Sequence, residues 1–173
     1  DDICHRILPH VIIWKDKNVN YIDPDLRLYL KKSMLNDKIR FIMFKLTLII
    51  PNSSGEFTLH AGVVLYDKKK RSLERFESYG DFPYESKDDL NDFINKEIGD
   101  KLREYNDIVY YTPEQLIYGP QNISNDDDYN LKKITDPEGF CLAWCLWYVE
   151  LRLMNPDVDP RNVLKEAVNK ITA

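Results

Sequence analysis

A nearly uninterrupted apolar segment from Phe140 to Leu153 constrains the fold of this chain more than any other feature. Only Glu150 and Arg152 carry charge within it, and Asn155-Pro156 ends it. A helix that is apolar on nearly every face belongs at the centre of a domain, with other elements packed around it. The segment therefore predicts a buried helix enclosed by the rest of the chain. The apolar runs of the chain are too short to cross a lipid bilayer.

The residues before this helix predict a sheet flanked by helices. Phe57 to Tyr66 and Ser72 to Tyr79 read as strands, and the polar segment Asp67–Lys70 between them indicates an antiparallel hairpin. The other predicted elements are strands at 40–50 and 108–111, helices at 24–37, 86–105 and 159–171, and a surface loop at 112–136. Together they predict an α+β fold with a central antiparallel sheet, in one domain over residues 1–173. Because the sequence begins at Asp1 without Met, we expect an excised piece of a longer protein.

Composition limits the partners that such a domain can take. The formal net charge is −5, from 24 Lys and Arg against 29 Asp and Glu, so the basic surface that nucleic-acid binding needs is missing. Three cysteines do not make a disulfide framework, which favours a reducing, intracellular setting. No Cys-x-x-Cys or paired-His spacing predicts a metal site. We expect a monomer that needs no cofactor and binds neither nucleic acid nor membrane.

His60 and Glu77 form the first candidate pair. If the hairpin closes symmetrically about Lys68-Lys69, His60 lies directly across from Glu77, with Cβ atoms roughly 5 Å apart. At that distance a carboxylate can hold an imidazole by one nitrogen and fix its tautomer. A cross-strand His–Glu pair can also be purely structural, and a slip of one residue in the register would separate the two side chains.

Cys141 is the second candidate. A loop containing Pro137 and Gly139 delivers it to the first turn of the apolar helix, where the positive end of the helix dipole favours a thiolate. Backbone N–H groups in the same turn can stabilise an oxyanion. The alternative is a buried structural role, which is how we interpret Cys145 one turn further on. With His60 and Glu77, Cys141 would complete a nucleophile, a base and an orienting acid.

Two segments resemble the ubiquitin-like-protein proteases and the adenovirus protease, in which a histidine faces an acid across a hairpin and a cysteine begins a central helix. They are His60-Ala61-Gly62-Val63-Val64-Leu65-Tyr66-Asp67-Lys68-Lys69-Lys70 with Arg75-Phe76-Glu77-Ser78-Tyr79-Gly80, and Gly139-Phe140-Cys141-Leu142-Ala143-Trp144. The second segment, continued to Tyr148, is closest to thiol proteases of large DNA viruses. The resemblance implies a papain-like fold and a Cys141–His60–Glu77 triad on a buried helix. It also implies a deubiquitinase-like cysteine peptidase that cleaves at the C-terminus of ubiquitin or a ubiquitin-like modifier.

The chain departs from that pattern beside the cysteine. Phe140 replaces the usual Asp, and Asp136 stands near the place of the oxyanion-hole Gln. A carboxylate is a poor oxyanion donor, so Gln121 becomes the candidate donor, and Tyr79 and Phe82 become candidate substrate contacts. The alternatives are a thiol protease that processes viral precursors and a catalytically inactive module that binds a modifier. In each case we expect the protein in the host cytoplasm or in the virion.

Overall fold

The computed structural model describes residues 4–15, 17–51, 54–80, 87–116, 119–120 and 140–171, and of residues 4–11 the backbone alone. The strands are β1 (Cys4–Lys15), β2 (Asn18–Ile22), β3 (Ile39–Pro51), β4 (Phe57–Asp67), β5 (Ser72–Phe76) and β6 (Val109–Tyr111). The helices are α1 (Leu26–Met34), α2 (Lys87–Ile94), α3 (Asp100–Arg103), α4 (Pro113–Leu116), α5 (Phe140–Met154) and α6 (Pro160–Ile171). A π-helical turn, Asn95–Gly99, joins α2 to α3.

The described strands form one six-stranded mixed sheet in the order β2-β1-β3-β4-β5-β6. The mixed α/β architecture is compatible with the predicted α+β class. The prediction of a central antiparallel sheet describes only part of the sheet: β3–β4 and β4–β5 are antiparallel, whereas β1 pairs with β3 in parallel and β5 pairs with β6 in parallel. Parallel neighbours need a long crossover connection. Here β2 and α1 supply the first crossover, and α2 and α3 supply the second.

The β4–β5 hairpin is paired two residues away from the predicted register. Val63 lies opposite Phe76 and Asp67 lies opposite Ser72, so the turn comprises the four residues between Asp67 and Ser72. Asp67 Oδ1 accepts hydrogen bonds from two backbone N–H groups of the turn at 2.9 and 3.2 Å. Side chains alternate between the faces with a period of two. An even shift therefore keeps His60 and Glu77 on one face, but diagonally related rather than directly opposite.

Helices cover both faces of the sheet. On one face α1 and the α2–α3 segment pack against β3 and β4, around Leu30, Phe44, Leu48, Val64, Leu90 and Ile98. On the other face α5 and α6 pack against the same strands, around Phe41, Val63, Phe76, Tyr148 and Leu164. The first core contains the even-numbered side chains of β4 and the second contains the odd-numbered ones, as strand geometry requires.

The helix α5 lies in an outer layer rather than at the centre of the domain. Cys145 and Tyr148 are buried against the sheet, whereas Phe140, Leu142 and Leu146 are 55%, 53% and 49% exposed. The prediction of a fully enclosed helix is therefore wrong, because the sheet covers only one side of it. Among the described helices, none is long and apolar enough to cross a membrane.

A buried ion pair fixes the C-terminal half of α5 to β5. Arg152 and Glu74 are both fully buried, and Arg152 Nε donates to Glu74 Oε2 at 3.0 Å. The hydroxyl of Tyr148 donates to the same oxygen at 2.8 Å. Buried charges are tolerated when they are paired and hydrogen-bonded. These contacts set the position from which α5 presents Cys141.

Candidate functional site

The candidate site lies where β5 ends and β4 continues with β3 as its one remaining neighbour among the described strands. His60 projects from β4, Glu77 follows the last residue of β5, and Cys141 is the second residue of α5. All three are buried, with 8%, 2% and 6% of their surface exposed. The structure thus brings together three residues that are far apart in the sequence.

A short hydrogen bond joins His60 to Glu77. The distance from His60 Nε2 to Glu77 Oε1 is 2.5 Å. The backbone N–H of Tyr79 donates to the same carboxylate oxygen at 3.3 Å. The ring of Tyr79 lies 5.6 Å from the imidazole, tilted by 33°. The tight turn at Glu77–Gly80 therefore holds the carboxylate and covers one side of the histidine.

His60 carries an extra proton at neutral pH. Burial opposes its charged form, but hydrogen bonds with Cys141 and Glu77, and the charge of Glu77, raise the pKa of His60 to about 10 from its ordinary 6.5. Opposite charges and hydrogen bonds to the charged form both favour protonation. The site thus holds the imidazolium of His60 between the side chains of Glu77 and Cys141.

The two cysteines of α5 contact the backbone of one residue of β4, Ala61. Cys141 Sγ accepts from the N–H of Ala61 at 3.3 Å, and Cys145 Sγ donates to the C=O of the same residue at 3.4 Å. Because β5 stops at Phe76, opposite Val63, no described strand lies beside these outward-facing backbone groups. Cys145 is 1% exposed, and burial raises its pKa well above the ordinary thiol value.

Of the remaining predicted site residues, Tyr79 lies beside His60, while Gln121 and Phe82 are outside the described residues. Gly119 lies against the Tyr79–Gly80 peptide, and a Cβ placed on it would stand 2.1 Å from the carbonyl carbon of Tyr79. That approach is possible only without a side chain. Gly119, two residues before Gln121, therefore lies against the Glu77–Gly80 turn of the candidate site.

Sequence reasoning missed the contact of both thiols with Ala61 and the close packing of Gly119. The spacing of Cys141 and Cys145, one helical turn apart, was available as evidence that both face the same element. Nothing in the sequence identified Ala61 as their target, because that depends on where β5 ends. Within the described residues no group of three or more His, Cys, Asp or Glu is placed to hold a metal ion.

No protein-family model matches the chain. The chain is 32% identical, over 180 aligned residues, to a protein of Acanthamoeba polyphaga mimivirus described as an ankyrin repeat protein. The alignment covers 98% of this chain and 23% of that relative, so the chain spans about a quarter of the relative's length. An ankyrin repeat is a turn followed by two helices in about 33 residues. The described part of this chain is built instead around a six-stranded sheet.

These comparisons contradict the protease interpretation. The relative is named for a protein-interaction repeat rather than for an enzyme, and no peptidase model matches. The predicted membership of the ubiquitin-like-protein protease and adenovirus protease clan is therefore wrong. The same finding overturns the predicted cysteine peptidase and deubiquitinase activity, and the precursor-processing alternative with it. The geometry of Cys141, His60 and Glu77 is an observation that stands apart from those activities.

Proposed function

We propose that this chain is a protein-interaction module that binds a protein partner through the exposed apolar face of α5. The observation that carries the proposal is the exposure of Leu142 and Leu146, which are 53% and 49% exposed and one helical turn apart. Residues four apart lie on the same face of a helix. Phe140, at the start of the same helix, is 55% exposed.

Apolar surface of this kind supports protein binding. Contiguous exposed apolar patches on soluble domains mark interaction sites, since leaving them in water is unfavourable. The mimivirus relative is described as an ankyrin repeat protein, and ankyrin repeats present binding surfaces to other proteins. The net charge of −5 adds no attraction for nucleic acid.

The buried cluster of Cys141, His60 and Glu77 belongs to the proposed site as its polar end. Cys141 lies in the first turn of α5 together with the exposed side chains of Phe140 and Leu142, so a partner seated on those two side chains would lie next to the cluster at the start of the helix. Tyr79 borders it, and we retain Gln121 and Phe82 as further proposed contacts. In this proposal, residues 1–173 form one domain. Its helices and sheet have a papain-like arrangement, and the domain has no peptidase activity.

A viral relative supports a place in the host cytoplasm or in the virion.

Ubiquitin or a ubiquitin-like protein is the specific partner that we propose to test first. Titration of unlabelled ubiquitin into the isotope-labelled domain would shift the amide resonances of α5 if ubiquitin binds there. Shifts confined to other elements would exclude ubiquitin as a partner of this surface.

Site-specific photo-crosslinking tests the proposal independently of the partner's identity. A benzophenone amino acid replaces Leu146 in one variant and Val109 in the control, which is 55% exposed on β6. We expect a defined set of proteins to crosslink from position 146 in expressing cells. That set should disappear when Leu142→Arg is added, because a charge on the same face disrupts apolar contact. Equal crosslinking from positions 146 and 109 would refute the proposal.

A further inference from the structure

The outer edge of β4 before Ala61 presents backbone groups that no other described strand pairs with. The N–H of Lys68 bonds Arg40 of β3, so in β4 the even-numbered residues pair with β3. Odd-numbered residues then direct both backbone groups away from β3. The thiol contacts of Ala61 confirm that direction. Phe57 and Leu59 therefore present their N–H and C=O groups at the edge.

No described strand pairs with this part of the edge. β5 ends at Phe76, opposite Val63, and the next two odd positions back along β4 are Ala61, which the cysteines hold, and Leu59. The side chains of Phe57 and Leu59 are 52% and 72% exposed. The ring of Phe57 is supported by Lys15, whose Nζ lies 4.5 Å from the ring centroid.

Within the part of the chain that the structure describes, this edge also lacks the features that normally prevent strand pairing. Exposed edges are usually protected by charged residues or proline, or by a helix or loop laid over them. The segment Phe57–Leu59 contains neither charge nor proline. The helix α5 begins beside Ala61, so the strand before that point extends past the end of the helix.

We propose that an extended segment of a partner protein adds to β4 at Phe57–Leu59 as a strand, with apolar side chains at alternate positions. This inference rests on the proposed protein-binding function and names the conformation of the partner. The N–H and C=O groups of Phe57 and Leu59 lie two residues apart on one edge. Another strand can form hydrogen bonds with all of them at once. An added strand would lie along β4 beyond the last residue that pairs with β5, which directs its end toward Cys141 and His60.

The test uses the substitution Leu59→Pro in the full chain. Proline removes the outward N–H without removing a hydrogen bond to β3, and edge strands tolerate it. The matched control is Leu59→Val, which keeps the donor and an apolar side chain. Dodecapeptides selected from a random phage-displayed library on the wild-type protein serve as probes, and their affinity is measured by fluorescence anisotropy.

We expect the selected peptides to alternate apolar and polar residues and to bind Leu59→Pro about tenfold more weakly, while Leu59→Val binds nearly as the wild type does. Hydrogen exchange on the wild-type protein gives a readout that does not depend on the folding of the variant. Added peptide should slow exchange at the amides of Phe57 and Leu59. Unchanged exchange at both amides, or failure to select any alternating peptide, would overturn the proposal.

The same experiment separates other outcomes. If the wild type dimerises and Leu59→Pro abolishes the dimer, this edge binds a second copy of the chain. That result would overturn the proposal that a different protein supplies the added strand. Photo-crosslinking from position 146 with no peptide binding at Leu59 would leave the proposed function standing and refute strand addition. Strand addition without any crosslink from position 146 would refute the α5 surface instead.

Discussion

The raised pKa of His60 predicts a specific pH dependence of stability. Folded His60 titrates at about 10 and an unfolded histidine at 6.5. Its stabilising contribution is therefore complete below pH 6.5 and is lost as the pH rises through 10. Between those limits the folded state holds about one more proton, so the free energy of unfolding falls by about 1.4 kcal/mol per pH unit. Over pH 7 to 9 the loss is on the order of 2–3 kcal/mol.

Urea denaturation of the wild type and His60→Gln at pH 7, 8 and 9 measures this loss. The difference between the two free energies of unfolding should shrink by roughly 2–3 kcal/mol across that range, because glutamine does not titrate. The imidazole Cε1–H resonances provide a direct check, since the chain has three histidines and the variant removes one signal. Parallel stability curves, together with a His60 resonance that titrates near 6.5, would refute the proposed imidazolium.

Two further substitutions test the supports of the site. Gly119→Ala places a Cβ 2.1 Å from the carbonyl carbon of Tyr79. We therefore expect the free energy of unfolding, measured by urea denaturation, to fall by about 1–3 kcal/mol and the resonances of Tyr79 to shift. Unchanged stability would contradict the close approach. Arg152→Met leaves Glu74 buried without its cation, and we expect a loss of about 3–5 kcal/mol that the added Glu74→Gln substitution partly restores. Equal losses in the single and double variants would contradict the pairing.

The sequence predicted the strongly patterned elements well. The strands β3 and β4 and the last two helices lie within one or two residues of the predicted bounds, because long apolar or amphipathic runs determine them locally. The helix predicted at 86–105 forms as two α-helical segments joined by a π-helical turn. No strand was predicted before residue 24, yet β1 and β2 form one side of the sheet.

The errors have physical reasons that involve residues distant in sequence. The hairpin register depends on how Asp67 closes the turn, which symmetry about Lys68-Lys69 did not capture. The apolar content of α5 indicates that the helix packs against other elements. It does not indicate how many sides of the helix those elements cover. Residue types and chain order placed Cys141 near His60 and Glu77, but the proximity of three such residues does not by itself establish an activity. The protease prediction failed at that last step.

The two ends of α5 are held by bonds of different strength. Arg152, toward the C-terminal end, makes charge-assisted hydrogen bonds with Glu74, whereas Cys141 and Cys145 hold the first turns through thiol contacts, which are weak hydrogen bonds. Local opening of the helix should then begin at its N-terminal turn while the C-terminal turns stay in place. Such a helix can admit a partner at Cys141 by fraying one turn, without unfolding the layer that supports it.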